Sequence, residues 1–428
     1  HRYTELLVYK RSLYMPIFIH SDLWWRVTLF YNKIHFSDIF RKEKQKWWNN
    51  TQKHRITSKI LLEQKGSHLC LKKNLNKKQV MNYGISVLFR AIPLLMALFC
   101  FGYGFFVFNY GVDSSRFVAG PVVFSLGFIC IALFATAATI IRQIIHTYNN
   151  VARFALPILG YLSATITFLA GFILLMSSPA PADFVAGHVI CGVGLITACV
   201  ATTATASTRF TLIQMNAKSD DPRIPDKAFN FWQGVFLILV ASFISIVAWI
   251  WAYRLLAHSD EHSQYFVAGH VMAGLACICS SLIALVATIA RQIRNTYSRL
   301  EKRLWHRFVI LMGSISLIWG LFVLGDSDPA NASTGYIMIG LGLVCYSISS
   351  KVILLSKIWR EEFKLANRIP LIPIFTALFC LFLSAFLFET AAEHSYYAIP
   401  ARVLAGLGAI CFTLFSIVSI LESGTSSK

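Results

Sequence analysis

Uncharged apolar runs recur along the chain from residue 91 onward, and they are too long for the core segments of a soluble domain. Phe117 to Ile141 and Phe266 to Ala290 each continue for more than 20 residues without a charged side chain. A soluble amphipathic helix shows a polar face every turn or two, and these runs do not. At 1.5 Å per residue they are long enough to cross about 30 Å of hydrocarbon. Backbone polar groups in lipid must be satisfied within the segment, so the spanning element is a helix or a closed barrel. Barrel strands alternate polar and apolar residues, and these runs lack that alternation. The pattern predicts an all-α membrane protein with ten spans, at about 91–109, 117–141, 155–176, 184–206, 231–252, 266–290, 307–325, 335–356, 370–388 and 399–421.

Polar positions between the spans predict orientation. Connections after even-numbered spans carry sixteen basic residues, from Arg142 and Arg153 through Arg291 and Arg294 to Lys357 and Arg368. The connections after odd-numbered spans carry only Arg116 and Arg254, among acids such as Asp113, Asp183, Asp260 and Asp326. The positive-inside rule then puts both termini in the cytoplasm.

The spans also share a register. Phe117-Val-Ala-Gly-Pro121, Phe184-Val-Ala-Gly-His188 and Phe266-Val-Ala-Gly-His270 each open an even-numbered span, with weaker copies around Tyr336 and Arg402. These fifth positions are 67, 82, 66 and 66 residues apart. Four residues further on come Ser125, Gly192, Gly274, Gly340 and Gly406, and nine further on come Cys130, Thr197, Cys279, Cys345 and Cys411. The expectation is a two-span hairpin repeated five times in parallel orientation about an axis near the membrane normal. The small residues one turn below the fifth position are expected to pack helices, because close backbone approach drives association in lipid.

Charge separates the front of the chain from the rest. The formal net charge is +19, and residues 1–80 supply +12 of it from 17 basic and 5 acidic residues. That segment is irregular, and its most apolar stretch is broken by Asp22, Arg26 and Lys33. It reads either as a basic arm for anionic lipid or nucleic acid, or as a disordered or foreign extension ahead of a working domain at 81–428. The second reading is preferred, and it leaves no nucleic-acid partner for the membrane domain.

Candidate chemistry is sparse. Nine of the ten cysteines fall in apolar runs, where they act as packing material, and no metal or cofactor site is expected. Cys277 and Cys279 point apart on a helix and lack partner ligands. No nucleophile elbow, phosphate loop, metalloprotease motif or dinucleotide fingerprint is present, so neither catalytic residues nor enzymatic activity is expected. Ionisable groups inside spans remain the functional candidates: His188, His270 and Arg402 at equivalent positions with Tyr336, then Lys351 deeper, and Glu389 near the end of the ninth span. The histidines could respond to external pH, or they could only bridge helices.

Phe-Val-Ala-Gly-His at 184–188 and 266–270, Ala-Asn-Arg-Ile-Pro at 366–370, and Gly-Leu-Gly-Ala-Ile-Cys-Phe-Thr-Leu-Phe-Ser-Ile-Val-Ser-Ile-Leu-Glu at 406–422 resemble the YhiM family. These are enterobacterial inner-membrane proteins of unknown biochemical function. The resemblance runs from Met81 to the C-terminus. It implies an inner-membrane location and a loose association with acid stress, and it supplies no catalytic residue. Two functional classes follow. One is a pH- or acid-stress-related channel, transporter or sensor passing a small ion or solute. The other is a structural or partner-binding membrane protein without transport.

Overall fold

The computed structural model describes residues 91–111, 114–144, 150–177, 180–216, 231–260, 262–293, 298–358 and 369–425. The expectations for residues 1–80, and for the basic residues of 217–230 and 359–368, lie outside the described residues. Ten long apolar helices run through the remainder: α1 (Ala91–Tyr110), α2 (Arg116–Ile144), α3 (Asn150–Ser177), α4 (Pro181–Asn216), α5 (Phe231–Leu256), α6 (Ser263–Ile293), α7 (Arg299–Val323), α8 (Pro329–Ile358), α9 (Leu371–Ala391) and α10 (Ala398–Thr425). A short 3-10 turn, Ser395–Tyr397, leads into α10.

Local chemistry sets some of these ends. At the start of α7, the Ser298 hydroxyl accepts from the Glu301 N–H, and the Glu301 carboxylate accepts from the Ser298 N–H. This reciprocal cap satisfies two donors that have no partner within the helix. Glu301 also accepts from Arg291 Nε at 2.8 Å, which ties the end of α6 to the start of α7.

The helices form two layers. Each even-numbered helix packs against two other even-numbered helices, in the cyclic order α2, α4, α6, α8, α10 and back to α2. This closes a five-membered inner ring. The odd-numbered helices sit outside it: α3 touches α4 and α2, α5 touches α6 and α4, α7 touches α8 and α6, and α9 touches α10 and α8. Helix α1 lies on α2 through Phe101 against Phe124 and Phe108 against Phe117. In the most apolar window of each ring helix, 67 % to 94 % of residues are buried, against 28 % to 33 % in the outer helices. The outer layer instead presents large side chains such as Phe105, Phe154, Phe243, Phe322 and Phe382, which suits a lipid-facing surface.

Two kinds of close approach hold the layers. Between an outer helix and its ring partner, backbones nearly touch. A Cβ added at Gly171 of α3 would lie 2.7 Å from Cys191 N and 2.8 Å from Gly187 O of α4. Gly104 stands in the same relation to Phe124 and Gly120, and Gly320 to Gly335 and Ile339. Within the ring, a glycine on one helix receives side-chain tips from the next. A Cβ at Gly192 would lie 2.6 Å from Leu275 and 2.7 Å from Met272. Gly274 receives Leu341 and Met338, Gly340 receives Leu404 and Leu407, and Gly406 receives Leu126 and Val123. Hydroxyl bonds add to the outer contacts: Ser316 donates to Met338 O at 2.8 Å, Ser384 donates to Ala401 O at 2.7 Å, and Ser245 and Ser280 pair at 2.8 Å. Hydrogen bonds of this kind between membrane helices contribute on the order of 1 kcal/mol each.

The two contact types predict different tolerance to a methyl group. Gly171→Ala must displace backbone and is expected to destabilise by about 1–3 kcal/mol, the usual range for overpacking. Gly340→Ala meets only leucine tips, which can rotate, and is expected to cost less. Thermal unfolding of the two detergent-solubilised variants checks the order. Equal loss of stability would contradict the contact assignment.

Candidate functional site: the seam histidines and the ring interior

The first turns of α4 and α6 place His188 and His270 in matching surroundings. Each imidazole folds back on its own helix, with Nδ1 2.7 Å from Phe184 O and from Phe266 O respectively. A carbonyl oxygen can only accept, so Nδ1 carries the proton and Nε2 is the nitrogen free to take up another. The rings pack on Phe184 and Phe266 at 4.2 and 4.1 Å. Each then meets the edge of a tryptophan on the following outer helix: Trp251 of α5 at 5.8 Å for His188, and Trp319 of α7 at 5.7 Å for His270. Both imidazoles are buried, at 9 % and 8 % exposure, in the seam between one ring helix and the next outer helix.

Arg402 occupies the corresponding seam at the ring closure. Its Nη1 donates to Ser115 Oγ at 2.5 Å, and its guanidinium lies near Tyr103 of α1. The last ring helix is thereby tied to the first hairpin, and the arginine is spared the roughly 2.5–3.5 kcal/mol that an unpartnered charge costs near the bilayer centre. Tyr336 faces Tyr397 at 6.0 Å. Pro121 is half-buried at the matching level of α2, and Glu389 is exposed near the C-terminal end of α9. The seam groups are therefore separated from one another by the ring helices and do not converge on one cavity.

The ring has a further face. On α6, Gly274 faces α8, Met272 and Leu275 face α4, and Gly269 faces Leu256 of α5. At 100° per residue, Val271, Ile278 and Leu282 occupy the one sector these contacts leave, which is the inside of the ring. The same phase on the five helices gives three stacked layers. The first is Val122, Val189, Val271, Ile337 and Val403, at 2–6 % exposure. The second is Ile129, Ile196, Ile278, Val344 and Ile410, at 3–4 %. The third is Leu133, Val200, Leu282, Ile348 and Leu414, also at 3–4 %. These fifteen side chains line the axis of the ring, its lumen.

One turn further along lies a fourth layer, of Thr136, Thr203, Leu285, Lys351 and Ile417. Among the described residues Lys351 is the largest fully buried side chain, at 2 % exposure. Of the six candidate residues, it alone shares the lumen's phase. Among the described residues no group of three His, Cys, Asp or Glu side chains could hold a metal ion. All nine described cysteines are free and buried.

The lumen layers and the aromatic seam partners Tyr103, Trp251 and Trp319 are not picked out by reading the spans one at a time. Aliphatic residues look alike whether they face lipid, protein or a lumen. The available signal was positional: Tyr103, Trp251 and Trp319 stand 17 to 19 residues before Pro121, His270 and Tyr336.

With the geometry in place, comparison with known proteins decides the kinship. A family described as "Protein of unknown function (DUF2776)" matches residues 81–426. The chain belongs to this family. An Escherichia coli (strain K12) protein described as "Inner membrane protein YhiM" is 50 % identical over 353 residues, covering 81 % of this chain and 100 % of that protein. No solved structure matches the chain. Ten apolar helices together with this degree of identity make the DUF2776 chain a multi-pass inner-membrane protein.

The seam geometry predicts a tautomer. At neutral pH, imidazole 15N spectra of His188 and His270 are expected to report a protonated Nδ1 and an unprotonated Nε2. A dominant Nε2–H form for either would contradict the carbonyl contacts.

Proposed function

We propose that this DUF2776 protein forms a gated pore through the inner membrane, with the permeation axis at the centre of the five-helix ring. The observation that carries the reading is the axis of the ring: fifteen aliphatic side chains in three layers share the inward phase of five helices that close on one another. A narrow aliphatic constriction excludes water and blocks ions until it widens, which is gating by dewetting. In this reading the five hairpins are copies of one unit in parallel orientation. The recurrence of one glycine-to-leucine contact around the ring supports it. The sixteen-to-two basic bias puts the C-terminal ends of the ring helices, and both chain termini, in the cytoplasm. Residues 1–80 are an extension that the pore does not need.

His188 and His270 do not lie on this path. They sit where hairpins join, and their protonation would put positive charge into two buried aromatic seams. We read them as the elements through which external acid shifts the packing of the hairpins, and so the width of the lumen. The alternative, a structural protein without transport, draws on the complete absence of polar side chains from the first three layers.

Flux through proteoliposomes separates the two readings. Polar residues wet a dewetted constriction, so Ile278→Ser with Val344→Ser is expected to raise small-ion flux on the order of tenfold over the parent protein. His188→Gln with His270→Gln is expected to keep the flux and remove its dependence on external pH. No flux from the serine variant at any pH would favour the structural reading. Orientation is checked by reporters: a fusion after Lys428 is expected to report cytoplasm, and one at 326–333 to report periplasm. The reverse pattern would overturn the assignment.

A further inference from the structure

Lys351 is a cation in the wrong surroundings for one. It sits on the luminal phase of α8, one turn beyond three aliphatic layers, and is 2 % exposed. Neither a carboxylate nor any other hydrogen-bonding group among the described residues contacts it. The sequences of the five ring helices contain two acids, Asp183 in the first turn of α4 and Glu422 in the last turns of α10. Neither is ion-paired with Lys351. The α8 C-terminus does not compensate it either: Ile358 ends the helix, about two turns away, and the helix dipole acts mainly within the last turn. A buried ammonium left unpaired costs several kcal/mol, and buried charges in proteins are ordinarily paired. A protein that keeps a lysine here can recover that cost from a counter-charge entering along the axis.

The neighbours in the layer suit a small anion. Thr136 and Thr203 share the level of Lys351, and their hydroxyls presently donate to Ala132 O and Cys199 O, at 3.2 and 3.0 Å. Each can turn from its own helix carbonyl toward the axis and donate there instead. An ammonium with two hydroxyls makes an anion site with one full positive charge and no acceptor that must be satisfied. Leu285 and Ile417 complete the layer and limit its size. The next layer, Ile140, Ser207, Ile289, Leu355 and Leu421, is 3–9 % exposed and lies toward the C-terminal ends of the ring helices.

The geometry points to a binding site for one small monovalent anion of the halide class, held by the Lys351 ammonium inside the ring and reached from the C-terminal ends of the ring helices. The assignment rests on the pore reading for its location on a path, but binding can be measured without conduction.

The test uses the full chain purified in detergent, with chloride as the probe and gluconate, too large for the lumen, at equal ionic strength as the reference. Thermal unfolding of the parent protein is expected to shift upward with chloride relative to gluconate, and to saturate. Lys351→Met, which keeps the volume and removes the charge, is expected to weaken the apparent chloride affinity at least about tenfold, a loss on the order of one charge-assisted hydrogen bond. Lys351→Arg keeps the charge and is expected to keep the response. Should Lys351→Met fail to fold, the parent and the arginine variant still decide: absence of a saturable chloride shift in both overturns the site. An equal chloride response in the parent and Lys351→Met overturns it as well. A chloride response confined to the charged forms, with no flux from the serine-lined variant, keeps the site and removes the pore. Flux without a Lys351-dependent chloride response does the reverse.

Discussion

Lipid removes the hydrophobic drive between helices, so a membrane bundle depends on how closely its backbones and side chains interlock. In this DUF2776 protein the decisive contact is the notch left by a missing Cβ on a ring helix. Met272 and Leu275 fill the notch at Gly192, Met338 and Leu341 the one at Gly274, and Leu404 and Leu407 the one at Gly340. Four of the five ring helices therefore carry a glycine notch, α2 having Ser125 in its place, and the arrangement closes when Gly406 receives Leu126 and Val123 of α2. With both neighbour-facing sectors fixed, and the outer helix held by Gly171-type backbone contacts, the rotation of every ring helix is determined. The sector that remains faces the axis. The lumen follows from the notches.

The same rotation explains why the charged residues lie where they do. Position 188 and its counterparts fall about 100° from the luminal phase, against the following outer helix. His188 and His270 accordingly meet Trp251 and Trp319, and Arg402 meets Tyr103 and Ser115. Residue 351 lies fourteen residues beyond Ile337 on the same helix, four heptad half-steps that return it to the luminal face. Chemistry in this molecule is thus divided between a periphery of aromatic seams near the N-terminal ends of the ring helices and a single cation on the axis deeper in the bundle.

Much of the fold could be read from the residues, because the bilayer imposes a simple rule on spans: long, uncharged and helical. The ten apolar helices fall where the uncharged runs lie, with boundaries extended by a few polar residues, as at Ser263 and Gln292. The register of Phe-Val-Ala-Gly-X and of the small residues was also visible, since glycine spaced at constant intervals has no other ready cause in an apolar helix. The direction each side chain takes was not. A span of Val, Ile, Leu and Ala has almost no amphipathic signal, so the sequence of α6 does not distinguish Ile278 on the axis from Cys279 in a helix interface. Grouping His188, His270, Tyr336 and Arg402 with Lys351 as one set of candidates was reasonable from their chemistry. The helix rotation, which depends on contacts between residues 64 to 83 apart and 280 to 283 apart at the ring closure, separates them.

Closure of the ring between α10 and α2 is the point on which the lumen, the seams and the axial lysine all depend. It is tested most directly by cross-linking in native membranes, using a cysteine-free background with Val123→Cys and Gly406→Cys. A Cβ at Gly406 lies 3.7 Å from Val123 Cγ1, an atom that a cysteine Sγ can replace, which brings the two side chains within reach of a disulfide. The account predicts rapid intramolecular oxidation of this pair and none for Val123→Cys with Gly274→Cys, whose helices are not ring neighbours. Failure of the first pair to cross-link, or efficient oxidation of the second, would contradict a closed five-helix ring.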